Sequence, residues 1–583
     1  MPRRRVSSKL LGIVLAASLS IPAQARGTST ATPGSDTQFE FVDVAEKAGI
    51  DVVNVCGDPR RWYIPESNGC GAAWLDYDGD ADFDLFVGNG AGMSYVDDGR
   101  RLEILRTGGS RLYRNDGGMR FTDVTKTAGA GRMEWINAVA TGDVDNDGDP
   151  DLYLACFDAD VFLRNDKGVF VDATKEAGLG SELWGAGAAF ADVNGDGALD
   201  LYVANYCLFD LEDPPMNGKR NVIEGTEVAW GPEAENKRGL NLGAPDLFYF
   251  GDGKGHFREA TREAGLLLEP ALCSYAVVFS DVNADGLQDI LVANDLQPSN
   301  LFINDGFGQF SEEGARRGFA FNFEGKPTSA MGLAVEDFDG DGDFDVFRTN
   351  FDFEANCLHV SDGKGSFTDE AEALGLAAPS MDRLGWGAGF FDADCDGDLD
   401  LLAANGHVYP QAERIGMSGW LMQSQLFEAV QDGGSTVFVD ATARAGSDLG
   451  VMRSARGVAF ADADDDGDVD ALIVDMDEMP RLLENRTPRR GHWISVRTIG
   501  SESNRDGIGA VVRVRAGGKT RAREMRTTQG LYSSHDPRLH FGLGAADRVD
   551  FVEVSWPSGR TSRVENPPTD KPLIMKEPTG ASP

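Results

Sequence analysis

The sequence predicts an all-β chain: a seven-bladed β-propeller followed by a small C-terminal β domain. Three observations carry this reading. A nine-residue acidic pattern occurs seven times, its starts 49 to 89 residues apart. Each copy sits between short apolar runs, such as GAAFA (187–191) before and LYVAN (201–205) after, that are rich in β-formers and too brief for helices. The array also begins with a lone strand-like segment, Phe39–Asp43, and ends with a unit lacking one strand.

Four strands per repeat follow from a second motif. After most copies comes an apolar strand, a turn such as Asn115-Asp116-Gly117, and Phe-x-Asp/Glu, as at Phe121-Thr122-Asp123 and Phe310-Ser311-Glu312. The turn residues suit a hairpin. Each repeat is thus four antiparallel strands with the acidic loop between the first two, the pattern of a propeller blade. After the seventh loop, Ala471–Val474 and Arg481–Leu483 supply only the second and third strands. Pairing them with the N-terminal segment closes the ring and removes its exposed edges, which an open solenoid would not.

Within each loop, carboxylate or amide oxygens fall at positions 1, 3, 5 and 9. The sets are Asp76, Asp78, Asp80, Asp84; Asp143, Asp145, Asp147, Asp151; Asp192, Asn194, Asp196, Asp200; and Asp281, Asn283, Asp285, Asp289. They continue with Asp337, Asp339, Asp341, Asp345; Asp392, Asp394, Asp396, Asp400; and Asp462, Asp464, Asp466, Asp470. Converging hard oxygens, with a position-7 carbonyl and a bidentate position 9, suit Ca²⁺; Mg²⁺ prefers a smaller octahedron that keeps its waters. An EF-hand would need Glu at position 12 between helices, where this chain has Val87, Leu154, Val203, Val292, Arg348, Ala403 and Ile473. A merely solvated turn does not explain the same alternation seven times. The expectation is up to seven Ca²⁺, which would bring the net charge from −41 to −27. The loops should be unequal: the first has Ala81 where six others have Gly at position 6, and Asn194 and Asn283 each remove a charge.

Composition agrees. The 583 residues include 95 acidic and 54 basic side chains, so nucleic acid and anionic lipid are repelled and cations attracted. With 41% hydrophobic residues the chain can bury a core. Residues 1–25 read as a signal peptide: Arg3, Arg4, Arg5 and Lys9, an apolar run from Leu10 to about Ile21, and Ala23-Gln24-Ala25 before the cut. The run is too short to span a bilayer as an anchor. Arg4-Arg5 is a weak twin-arginine signal because Ser7-Ser8 follows, and the expected location is periplasmic or extracellular, with no transmembrane segment. Cys56 and Cys70 could close a loop in an oxidising compartment, with Cys156 and Cys207 a weaker second pair. The propeller is assigned to 26–488, the arginine-rich β domain to 489–577, and a tail to 578–583.

The acidic loops resemble the FG-GAP/VCBS repeats of integrin α-type propellers. Asn504-Arg505-Asp506-Gly507-Ile508-Gly509-Ala510, Phe541-Gly542-Leu543-Gly544 and Trp556-Pro557-Ser558-Gly559 resemble the ASPIC/UnbV domain. The combined order, with Leu384-Gly385-Trp386-Gly387 and Gly406-His407-Val408-Tyr409-Pro410, is similar to bacterial relatives of cartilage acidic protein. The resemblance implies an extracellular, calcium-loaded propeller and supplies no catalytic set.

The functional expectation is a non-catalytic module that binds an extracellular protein or glycan through irregular insertions, about Tyr206–Pro245 with Trp230-Gly231-Pro232, and Tyr409–Gln425 with Trp420. The alternative is a secreted lyase or hydrolase with its site in the central channel or the insertion loops. Six histidines and no HExxH, GxSxG or Cys/His cluster weigh against it. His359 and His407 are the candidate channel residues. No catalytic or cofactor-binding residue is assigned.

Overall fold

A computed structural model describes residues 37–97, 101–214 and 243–580, with short strands between 221 and 240. The signal-peptide reading and Trp230-Gly231-Pro232 lie outside the described residues, and no described helix is long and apolar enough to cross a membrane.

Nearly all of the regular secondary structure is strand. Among the described residues, seven four-stranded sheets lie between Phe41 and Asn485. Their first strands are Ala72–Leu75, Ile136–Gly142, Gly185–Ala191, Ser274–Ser280, Leu333–Glu336, Gly385–Phe391 and Ala455–Ala461. Each packs on the next, and the last returns to the first, so the ring closes. All seven are buried along their length. Near an axis shared by seven strands there is little room, which is why they are rich in Gly and Ala. The second strands begin on the ninth loop residue in every sheet: Asp84, Asp151, Asp200, Asp289, Asp345, Asp400 and Asp470.

The seventh sheet is completed from the other end of the array. Phe41–Asp43 pairs antiparallel with Arg481–Asn485, Phe41 opposite Asn485 and Asp43 opposite Leu483. The fourth strand is therefore the N-terminal one, as the lone segment predicts, and it covers the outer edge of Arg481–Asn485.

Seven strands follow. Leu539–Gly544, His492–Ile499 and Lys571–Lys576 form a three-stranded sheet, and Lys519–Glu524, Val511–Ala516, Val549–Ser555 and Thr561–Glu565 a four-stranded one. Thr37–Pro583 is one compact unit. The reason is the segment Thr527–Asp536, which leaves these sheets and enters the ring. Leu333 N donates to Gly530 O (2.8 Å), Val139 N to Tyr532 O (2.9 Å), Trp74 N to Ser534 O (3.2 Å) and Ser534 N to Ala72 O (2.9 Å). Phe460 N donates to His535 Nδ1 (3.0 Å). The segment thus pairs with backbone groups of first strands that no neighbouring strand satisfies. Gly71 permits the approach, since a Cβ there would lie 2.0 Å from Tyr532 O. The free volume beside Gly530 and Tyr532 is about 10 Å³, too little for a substrate.

The disulfide expectations fail. Cys56 and Cys70 are separate thiols, Cys56 Sγ donating to Pro65 O (3.7 Å) and Cys70 Sγ to Gly88 O (3.1 Å). Cys156 is also a thiol, directed at Leu154 O, so no bridge to Cys207 forms. Sequence proximity says nothing about direction: Cys70 leads into the first strand of its sheet, whereas Cys56 faces the turn at Pro65.

Candidate metal centre

The seven loops share one internal hydrogen-bond scheme. At position 5, a carboxylate oxygen accepts from the backbone N–H of position 7 in every copy, at 2.9–3.0 Å for Asp80, Asp147, Asp196, Asp285, Asp341, Asp396 and Asp466. At position 1, the carboxylate gathers N–H groups from the turn: Asp143 accepts from Asp147 (3.0 Å) and Gly148 (2.7 Å), and Asp392 from Asp396 (3.1 Å) and Gly397 (2.8 Å). These bonds brace each loop as a shallow cup.

Position 9 anchors the cup to the blade. Its Oδ1 accepts from a third-strand backbone N–H in all seven sheets, from Asn115 at 2.8 Å on Asp84 to Asn485 at 2.8 Å on Asp470. These seven carboxyls are buried, with at most 3% exposure. Burial, the leading cause, pushes Asp84 and Asp289 up to about 8 and Asp345 up to about 9, and raises Asp151, Asp200, Asp400 and Asp470 well above the carboxylate range. Neighbouring loop carboxylates add to the shift. Asp289 Oδ2, Asp345 Oδ2 and Asp462 Oδ1 are buried without a hydrogen-bond partner. Crowding carboxylates in a buried place is costly unless protons or a counter-charge meet them. The donor set, all oxygen, fits Ca²⁺.

Oxygens from three loop carboxylates come within 4.8 Å of one another in five copies: Asp76, Asp78, Asp84; Asp143, Asp145, Asp151; Asp337, Asp339, Asp341; Asp392, Asp394, Asp400; and Asp462, Asp464, Asp466. The third and fourth loops, which carry Asn194 and Asn283 at position 3, do not form such a carboxylate group; Asn194 Nδ2 instead donates to Asp196 Oδ2 (3.0 Å).

The turn itself was only half read from sequence. Position 6 is left-handed, with φ from +83° to +103° at Gly148, Gly197, Gly286, Gly342, Gly397 and Gly467, and Ala81 adopts the same region at +77°. Position 4 is left-handed too, at Gly79, Asn146, Gly195, Ala284, Gly340, Cys395 and Asp465 (φ +58° to +77°). The mixture of residue types hid that requirement.

The candidate channel histidines are not accessible. His359 and His407 have no exposure, and burial holds His359 well below its usual value and His407 at about 3. Of the insertions, Trp420 is described and half-buried, with the Arg61 guanidinium 5.1 Å from its ring centre.

Comparison with known proteins agrees with the geometry. Residues 76–154, 143–203, 281–348 and 337–403 match the FG-GAP-like repeat, and residues 500–582 match ASPIC and UnbV. Cartilage acidic protein 1 of Mus musculus is 25% identical over 310 residues, covering 52% of this chain and 44% of that protein; the chain spans under half its length. Among solved structures, an Agrocybe aegerita lectin that recognises non-reducing terminal N-acetylglucosamine aligns at 14% identity over 65% of this chain and 81% of its own, TM-score 0.35. Trypanosoma rangeli sialidase aligns at 11% identity over 76% of this chain and 59% of its own, TM-score 0.32.

Proposed function

For a chain built of FG-GAP-like repeats and an ASPIC and UnbV domain, we propose an exported, calcium-loaded propeller that binds a protein or glycan partner without catalysis. The observation that carries the calcium reading is the set of seven buried position-9 carboxyls, three of the loops also holding unpartnered oxygens. Positions 1, 3, 5 and 9 of each loop would hold the ion. Calcium supplies the counter-charge that lets these carboxyls ionise inside the fold. Its binding to the native state alone stabilises the ring.

Binding rather than catalysis is supported by the filled axis. Thr527–Asp536 occupies the space that a channel active site would use. Partner contact is assigned instead to the ends of the blades away from the loops, where Trp62, Tyr95 and Trp420 are only partly buried. In this reading residues 26–488 are the ring, 489–577 its cap, and 1–25 the export signal.

The test is the melting temperature of the mature protein in EGTA, then with Ca²⁺ and with Mg²⁺. A rise of about 10 °C or more specific to Ca²⁺ is expected. No shift in protein verified free of metal would refute the calcium reading.

A further inference from the structure

The cap does not touch the seven loops alike. Its first strand and the residues leading into it lay three arginines along three successive blades. Arg490 Nε lies 3.0 Å from Asp394 Oδ2 and its Nη1 3.3 Å from Asp396 Oδ2, at positions 3 and 5 of the sixth loop. Arg489 Nη2 is 3.3 Å from Asp466 Oδ1 in the seventh. Arg497 Nη1 is 3.4 Å from Asp76 Oδ2 in the first. The sixth loop receives two further cations, Lys519 on Asp398 (3.7 Å) and Arg521, whose Nε donates to Gly397 O (2.9 Å). Blades six, seven and one are neighbours in the ring.

The second loop receives a carboxylate. Asp143 N donates to Asp506 Oδ2 (2.8 Å), which sets a cap carboxylate beside the position-1 carboxylate. Arg497 and Arg505 lie near Asp506 and favour its charged form, and among the described residues no cap cation pairs with the loop's own ligand carboxylates. At the fourth loop, Asp281 N donates to Glu524 Oε1 (3.2 Å), but Glu524 is itself paired with Arg526. The cap therefore sets cations directly on the ligands of one arc of the ring and a carboxylate, Asp506, beside those of the second loop.

We propose that the cap divides the loops into two classes of divalent-cation site: weaker ones at loops six, seven and one, where arginines already neutralise the ligands, and a tight one at loop two, where Asp506 adds charge. This rests on the calcium reading above. The electrostatics are simple: a divalent ion entering loop six meets Arg490 within a few ångströms of its ligands, and in loop two meets an extra carboxylate. Coupling is reciprocal, so filling the weak sites loosens the grip of Arg489, Arg490 and Arg497 on the ring. Calcium concentration would thus regulate how firmly that edge of the cap is held.

Equilibrium binding of ⁴⁵Ca²⁺ to the mature full chain tests this. Wild type should show two affinity classes. Arg490→Gln should move one site to higher affinity by about tenfold, while Arg490→Lys, which keeps the charge, should leave it weak. Asp506→Asn should weaken one tight site by a similar factor. Melting curves in EGTA check that each variant folds. Amide exchange across 489–497 should speed up as the weak sites fill. Wild type that binds calcium, with folded Arg490→Gln giving a superimposable isotherm, overturns the proposal; wild type that binds none overturns the calcium reading beneath it.

Discussion

At one end of the ring every blade repeats one nine-residue pattern; at the other the connections differ in length and sequence from blade to blade. The repeated end is acidic and crowds its carboxylates together. The opposite end carries buried charges that the protein satisfies by itself. Arg456 is fully buried 4.1 Å above the Trp386 ring, donating to Ser67 O (2.6 Å), Ala455 O (2.7 Å) and His407 O (3.2 Å), and no described carboxylate pairs with it. Arg61 is buried beside it in the chain's first connection, pairing with Asp477 and donating to Cys56 O (2.8 Å). If the proposed calcium sites hold, one end is stabilised from solution and the other from within, and substitutions should separate them.

The largest effect is expected where the internal network is cut. Arg456→Met removes the guanidinium bonds to Ser67 O, Ala455 O and His407 O, the last still accepting from Ser454 Oγ (3.3 Å), and should cost about 3 kcal/mol. Since no metal is involved, the loss should be the same in calcium and in EGTA, as urea unfolding would show. A loss seen only with calcium would mean that the two ends are coupled.

Asp345→Asn should behave in the reverse way. It keeps an acceptor for Ser361 N, the partner of Asp345 Oδ1 at 2.8 Å. It removes the charge that calcium needs, so with calcium present the variant should lose about 2 kcal/mol and one bound ion. In EGTA it should be as stable as wild type or more so, because a buried, uncompensated carboxyl is gone. Equal loss in both conditions would assign Asp345 a structural role alone.

How much of this was legible follows the same division. The loops, the four-strand unit and the closure by Phe41–Asp43 could be read because each rests on a repeated or missing pattern. The filled axis could not. Thr527–Ser534 carries no charge within an arginine-rich region, but one uncharged stretch has no period and no copy to compare. Cap arginines were legible as a charge contrast, yet which loop each meets depends on how the cap sits. The far end, with Arg456 and Glu66, was silent because its buried charges follow no repeat.

Glu66 gives the far end its own pH signature. It is fully buried, and burial pushes its carboxyl up to about 7 although Tyr95, Tyr63 and Asp58 all donate to it. The folded state therefore holds this proton more tightly than the unfolded chain, whose carboxyl titrates near 4.5. Its contribution is complete below about 4.5 and is lost as pH rises through 7, a fall of about 3 kcal/mol. Glu66→Gln should flatten that part of the pH profile, measured with calcium saturating so that the loops do not contribute. An unchanged profile would show that Glu66 is ionised throughout.

The smallest effect belongs to the first loop, the one copy that breaks its own rule. Ala81 stands at φ +77° where the six other loops place glycine, and its carboxylate group still converges. The sequence predicts an unequal first loop, and the backbone there is strained, with Ala81 N donating to Asp76 Oδ2 (3.2 Å). A left-handed alanine costs on the order of 1 kcal/mol, and glycine removes that cost while loosening the unfolded chain. Ala81→Gly should therefore gain about 0.5 kcal/mol, with or without calcium, and leave the number of bound ions unchanged. If it instead raised calcium affinity alone, the strain would be carried by the metal-free cup and relieved on loading. The first loop would then be weak for two reasons, its alanine as well as Arg497.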